Sequence, residues 1–196
     1  PMLRRVPLVA LGLIGFTYVG YPALIGLLAK LSPLATKPND GYLPSVSVLM
    51  PAFDAEAYLD AKLDSLLALD YPKDKLEILA YPDGSRDGTD GILARRAPLD
   101  GRIVPMRGDA RKGKPTALNA MRKRAQGEVF LMCDVRQRFE PNALRALVRH
   151  MADPGVGCVS GNLVMEGDQG SGVYWKYEKW IREREALFAL RRAQLE

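Results

Sequence analysis

The sequence predicts an α/β fold: a mostly parallel sheet flanked by helices, preceded by an N-terminal transmembrane helix. Three observations carry this. Short apolar runs alternate with helix-patterned segments from Ser45 onward, the order that gives parallel strands with crossover helices. Polar and charged residues gather just past each strand, where such sheets place their ligands. Ahead of all this, Val6 to Ala29 is a run of 24 residues without a charge, and about 20 suffice to cross a bilayer.

The elements follow in order. The apolar run is too long for a signal peptide, whose apolar region spans about 7–15 residues, and the competing reading is a buried core helix. Pro22, with Gly20 beside it, predicts a kink, and Tyr18 and Tyr21 fit an interface level or a partner helix. Arg4 and Arg5 at one end balance Lys30 and Lys37 at the other, so flanking charge leaves the orientation open. Ser32 to Pro44 holds three prolines and an Asn-Asp-Gly and reads as a linker. This sets boundaries of 1–31 for the membrane helix, 32–44 for the linker, 45–166 for the α/β domain and 167–196 for an amphipathic C-terminal helix.

Within the domain, SVSVLMP (45–51) reads as the first strand. Asp54 is a candidate N-cap for a helix whose Leu59, Leu63, Leu66 and Leu67 share one face. LEILAYP (76–82) is the second strand, followed by the turn DGSRDGT, with Asp87 placed to cap a short helix through Arg96. GRIVPM (101–106) is the third strand. KPTALNAMRKRAQ (114–126) is a helix with a basic outer side, and Gly127 is placed to stop it. EVFLMC (128–133) is the fourth strand and EPNALRALVRHM the next helix, with Pro141 near its first turn. VGCVSGNLVM (156–165) reads as a further strand region. GVYWKYEKWIREREALFALRRAQLE reads as the C-terminal helix, lying on a membrane surface or packed on protein.

Composition narrows the function. Of 196 residues, 47% are hydrophobic and 26% charged, and the net charge is +5, which suits a globular protein with anionic partners as well as a merely solvated basic surface. Cys133 and Cys158 lie in apolar runs and read as reduced core residues. The sole histidine, His150, reads as structural, which leaves no Ser–His–Asp or Cys–His set and no histidine zinc site. The P-loop and G-x-G-x-x-G patterns are absent.

The strand ends to weigh are Pro51–Asp54, Asp83–Ser85, Arg107–Lys114 and Asp134–Arg136. Asp83 can accept from a ligand N–H such as uracil offers, or serve the turn. Arg111, Lys112 and Lys114 precede a helix N-terminus and fit a phosphate, or form a solvated loop. Asp134 ends an apolar strand, where a carboxylate needs compensation. Mg²⁺ or Mn²⁺ shared with a diphosphate would supply it, as would capping the next helix or pairing with Arg136 or Arg138.

Together, VSVLMPAFDAE, LEILAYPDGSRDGT, RKGKPTALNAM, FLMCDVRQRFEPNAL and YWKYEKWIRERE, with TYVGYP in the apolar helix, resemble in order the elements of a membrane-anchored, inverting family 2 glycosyltransferase. The resemblance implies a GT-A (Rossmann-like) fold and a nucleotide-sugar donor, UDP-linked by the motif. It implies that Ala52, Phe53 and Glu56 line the nucleoside pocket and that Asp83 bonds uracil. Lys114 and Asn119 would lie near ribose and diphosphate, Asp134 would hold the metal, and Arg136, standing where the family has a second aspartate, would pair with phosphate. It further implies a hydroxyl acceptor, in polysaccharide or glycoconjugate synthesis, and a cytoplasmic domain on a single-pass helix in a bacterial inner membrane. The family's general base and acceptor element are not matched before Glu196, so the chain resembles the donor-binding half of an enzyme that awaits a C-terminal half or a partner protein. The alternatives are a non-catalytic membrane scaffold that binds nucleotide and a nucleotidyltransferase. The latter lacks its glycine-rich loop. Specific nucleic-acid binding is not expected, because no aromatic residues interleave the basic run.

Overall fold

A computed structural model describes residues 2–31, 36–161 and 172–189. The chain divides into two compact units, one of Pro1–Pro38 with His150–Glu196, the other Asn39–Arg149.

In the first unit, α1 (Met2–Gly15) and α2 (Tyr21–Leu31) are joined by a π-helical turn over Phe16–Gly20. The widened turn lies just ahead of Pro22, the site of the expected kink. Proline removes the N–H that would bond the carbonyl four residues back and crowds that carbonyl. That carbonyl, on Tyr18, instead accepts a hydrogen bond from the Tyr177 hydroxyl at 2.7 Å. Tyr177 belongs to α7 (Val173–Ala189), which packs against α2, with the Trp180 indole over Gly26. Val6–Leu31 is long and apolar enough to cross a membrane. Its first half is exposed throughout, which does not fit a buried core helix. The His150 Nδ1 lies 2.8 Å from the Thr36 hydroxyl.

The second unit holds a four-stranded sheet, β1 (Val46–Ala52), β2 (Leu76–Pro82), β3 (Ile103–Pro105) and β4 (Val129–Met132), all parallel in the order β3-β2-β1-β4. Parallel neighbours require crossovers, and α3 (Glu56–Leu67), α4 (Thr89–Arg96) and α5 (Lys114–Arg124) supply them. After β4 comes the short α6 (Ala143–Val148). One core packs Leu59, Leu63 and Leu66 of α3 and Leu144 and Val148 of α6 against Val48, Met50 and Ile78. A second packs Ala117 and Met121 of α5 against Leu49, Leu79 and Tyr81. Helices therefore cover both faces of the central strands.

Several expectations are corrected. The described part of the last strand region, 156–161, is irregular, and the rest lies outside the described residues. Cys158 is accordingly exposed, while Cys133 is buried. β4 is an edge strand with alternating burial, leaving Phe130 and Met132 exposed. Asp54 does not cap α3, where Ala55 takes that place. Asp54 adopts a left-handed φ of 44°, which aspartate tolerates, and its carboxylate accepts the Arg86 N–H at 2.9 Å. Gly127 lies past the end of α5, and its need is proximity: a Cβ there would meet the Ser47 nitrogen at 2.4 Å.

Candidate active site

In the order β3-β2-β1-β4, the chain leaves β1 toward β2 on one side and reaches β4 on the other. The carboxyl ends of β1 and β4 thus flank a topological switch point, where crevices form outside open α/β sheets. Phe53 and Asp54 follow β1, Asp83 follows β2, Arg107 to Gly113 follow β3 and Asp134 follows β4.

The turns that carry these residues are locked to one another. Asp87 is the hub beneath them. One of its carboxylate oxygens accepts the Glu56 N–H at 2.9 Å, and the other accepts the Thr89 N–H at 3.1 Å and hydroxyl at 2.5 Å. It thereby satisfies first-turn amides of both α3 and α4, although Gly88, not Asp87 as expected, holds the N-cap position of α4. Burial pushes the Asp87 carboxyl up, but the Thr89 hydroxyl and the two amides outweigh it and hold it below the usual range. Glu56 returns the link by accepting the Gly88 N–H at 3.0 Å.

Asp83 is 4% exposed, and its two oxygens accept the N–H groups of Lys112 at 2.9 Å and Gly113 at 2.7 Å. Its carboxylate therefore holds the loop after β3 down onto the end of β2. The helix N-terminus expected to bind phosphate through backbone amides is largely committed. Lys112 and Gly113 donate to Asp83, Pro115 has no N–H, and Thr116 donates to the Gly113 carbonyl. That leaves the side chains of Arg111, Lys112 and Lys114 as the cationic groups at this helix start. Gly113 has φ 86° and Gly84 φ 69°, conformations that favour glycine.

A cleft of about 560 Å³ opens beside this loop, lined by Phe53, Asp54, Ser85, Arg86, Arg107 and Arg111, among others. The Arg111 guanidinium stacks 4.0 Å from the Phe53 ring centroid, a cation–π arrangement. Such a flat polar and aromatic surface suits a planar base.

Beside β4, Lys114 Nζ donates to an Asp134 carboxylate oxygen at 2.5 Å, with both side chains about half exposed. The expected alternatives for Asp134 do not hold: Asn142 occupies the cap of α6, and the ion-pair partner is Lys114, not Arg136 or Arg138. Arg136 is exposed and lies 5.3 Å from the Tyr58 ring centroid. Among the described residues no three His, Cys, Asp or Glu side chains form a metal-sized group. Asp134 alone supplies a hard, exposed carboxylate, which fits a divalent cation that brings phosphate oxygens and waters of its own.

Of the residues singled out in the sequence, Phe53 lines the cleft, and Lys114 and Asp134 meet at the switch point. Ala52 does not line it. Its side chain is buried, and only its carbonyl acts locally, accepting the Asp83 N–H at 2.8 Å. Glu56 belongs to the α3–α4 junction, and Asn119 is exposed on α5, away from the cleft lining. Sequence reasoning missed Arg86, whose place directly after the Asp-Gly-Ser corner was the available signal. It also missed Lys62, buried at 1% exposure on α3. Burial pulls the Lys62 ammonium below the usual lysine range, against the opposing pull of Cys133 and Asp134. Burial also pushes the Cys133 thiol up, which keeps it an inert core group.

A parallel sheet with this order, an aromatic–arginine cleft and an acid–lysine pair along its carboxyl edge has the architecture of a nucleotide-binding α/β domain. The chain belongs to the family described as glycosyl transferase family 2, whose model matches residues 47–195. It is 34% identical over 123 residues to the probable glycosyltransferase YdaM of Bacillus subtilis (strain 168), covering 61% of this chain and 29% of that protein. It is 30% identical over 118 residues to the beta-monoglucosyldiacylglycerol synthase of Synechocystis sp. (strain PCC 6803), covering 59% of this chain and 25% of the synthase. In structure it is similar to the mannosyltransferase PcManGT from Pyrobaculum calidifontis, solved in complex with GDP-Man and Mn²⁺, with a TM-score of 0.68 and 30% identity over 78% of this chain and 47% of that one. The fold is therefore GT-A, as the sequence motifs implied. The chain spans under a third of the length of these two curated relatives.

Proposed function

We propose that this chain is the donor-binding part of a glycosyltransferase that moves a sugar from a nucleoside diphosphate to an acceptor hydroxyl with inversion. The observation that carries the reading is the pairing of Lys114 with Asp134 at the switch point, on the same strand-end row as the Phe53–Arg111 cleft. The base enters the cleft against Phe53 and Arg111. Arg111, Lys112 and Lys114 lie on the loop and helix start that face the diphosphate, and Arg136 adds a fourth cation from the loop after β4. Asp83 holds that basic loop in place. Asp134 would hold Mg²⁺ or Mn²⁺ in place of its lysine partner, which would leave Lys114 for phosphate. The bound cation would neutralise charge that develops on the leaving diphosphate. The acceptor oxygen attacks the anomeric carbon from the face opposite the diphosphate and loses its proton to a general base.

The resemblance of the Asp-Gly-Ser element favours UDP, although the Asp83 carboxylate is engaged here by backbone amides, and the GDP-Man complex of the structural neighbour makes GDP its competitor. The acceptor is a hydroxyl in polysaccharide or glycoconjugate synthesis. A lipid hydroxyl is supported by the membrane-length helix and by the name of the Synechocystis relative, whose product is a sugar-bearing diacylglycerol. Cytosolic nucleotide sugars place the domain on the cytoplasmic side of a bacterial inner membrane, anchored by a single span. The test is a thermal-shift and calorimetric series with UDP, GDP and ADP, each with and without Mn²⁺. Stabilisation by one of the first two that grows with Mn²⁺ supports the reading. Equal response to all three, or to none, defeats it.

A further inference from the structure

Among the described residues two charged side chains are buried, Asp83 and Lys62. The amides of Lys112 and Gly113 account for Asp83. Lys62 has no part in donor binding as set out above. It stands on the inner face of α3 among Leu59, Leu63 and Leu66 and is 1% exposed. Burying an ammonium costs several kcal/mol unless its charge is met, and a methionine would fill the same space without that cost. The charge therefore has a local reason.

Nζ of Lys62 donates to the Gln137 carbonyl at 2.6 Å and lies 4.2 Å from the Phe139 ring centroid. Both partners sit in the irregular segment that leads from β4 to α6. The outer side of the same segment carries Asp134 and Arg136, both exposed. Among the described residues, two hydrogen bonds tie Asp134–Phe139 to neighbouring elements, and both come from lysines: Lys114 to the Asp134 carboxylate, Lys62 to the Gln137 carbonyl. The first is exposed and must open for a ligand to take Asp134. The second comes from a buried ammonium on the inner side of the segment.

We propose that Lys62 is the positioning residue of this segment, fixing from beneath the height at which Asp134 and Arg136 are presented to the strand-end crevice. It touches no donor atom, and cation-dependent donor binding requires it. The inference rests on the reading of Asp134 given above.

The test uses the detergent-solubilised full chain, titrated with UDP and GDP, with and without Mn²⁺, and with uridine and guanosine as metal-independent probes. Lys62→Met is expected to lower the Mn²⁺-dependent gain in diphosphate affinity by about tenfold, the low end for residues that orient a metal ligand, while nucleoside affinity stays unchanged. Lys62→Arg, which keeps the charge, is expected to retain most of the gain. Leu63→Ala, a cavity on the same helix, is expected to lower the melting temperature and leave the gain intact. If Lys62→Met keeps the full gain, or loses nucleoside and diphosphate affinity in equal proportion, Lys62 is merely structural and the proposal falls. Should Lys62→Met fail to fold, Lys62→Gln decides: its shorter, uncharged side chain takes the ammonium away from the Gln137 carbonyl, it is expected to lower the Mn²⁺-dependent gain as Lys62→Met would, and a full gain overturns the proposal. Asp134→Ala separates the two levels. If it keeps the gain, the reading of Asp134 fails and takes the proposal with it. If it loses the gain while Lys62→Met does not, only the role of Lys62 fails.

Discussion

Replacing Asp83 by alanine tests whether this acid serves the chain or the ligand. In the structure its buried carboxylate accepts two backbone N–H groups, from Lys112 at 2.9 Å and Gly113 at 2.7 Å. A hydrogen bond to a charged group contributes about 1.5–3 kcal/mol. Lys112 is exposed and Gly113 half-buried, so water replaces part of what is lost and the lower figure applies. Two bonds at about 1.5 kcal/mol each give a loss of about 3 kcal/mol. For a chain of this size that corresponds to a fall in melting temperature of about 10 °C. Asp83→Asn keeps one acceptor oxygen and is expected to lose about half as much. The assay is thermal unfolding by circular dichroism, with hydrogen exchange at the Lys112 and Gly113 amides and a uridine titration alongside. Both amides are expected to exchange faster in Asp83→Ala. An unchanged melting temperature with uridine binding abolished would refute this reasoning and restore a direct base contact as the whole role of Asp83.

Gly84→Ala places a Cβ 2.5 Å from the Arg111 nitrogen at a φ of 69°, so chemical denaturation should show a loss of about 2 kcal/mol or more, and wild-type stability would contradict the described loop packing. Lys114→Ala removes a half-exposed ion pair, so its melting should shift by under about 1 kcal/mol, while calorimetry shows clearly weaker UDP or GDP binding. A large stability loss with affinity intact would be the opposite result. The Asp100 carboxyl is lowered to about 2, chiefly by its hydrogen bond from the Arg102 side chain, and Asp87 is also held below the usual range. Because the folded values lie below the unfolded ones, the stability from these acids is complete above the ordinary carboxylate range and is lost as pH falls through it toward 2. Melting temperatures from pH 6 to pH 2 should fall less steeply from pH 4 downward in Asp100→Asn, and an identical slope would remove Asp100 from the account.

Much of the fold was legible because parallel strands buried on both faces announce themselves. VSVLMPA and LEILAYP have few polar positions, and the helices between them keep a clear apolar face. What sequence pattern does not carry is side-chain direction at a turn. Asp83 and Asp134 both follow a strand, yet one turns inward to backbone amides and the other outward to a lysine twenty positions earlier in the chain. No periodicity links Lys114 to Asp134. Lys62 was legible in principle, since 59, 62, 63 and 66 all fall on one helical face, but lysine on such a face ordinarily snorkels to water. Cys158 shows the reverse error: an apolar run read as a strand is irregular where it is described, with its cysteine exposed.

The most direct measurement is photolabelling of the full chain with UDP and GDP derivatives that carry an azide on the base, followed by peptide mapping. The account predicts label on the segments just past β1, β2 and β3, between Phe53 and Tyr58, at Ser85–Arg86 or between Arg107 and Arg111, competed away by the unmodified nucleotide. Label confined to α2 and α7, or spread without competition, would contradict a donor site at the carboxyl edge of the sheet.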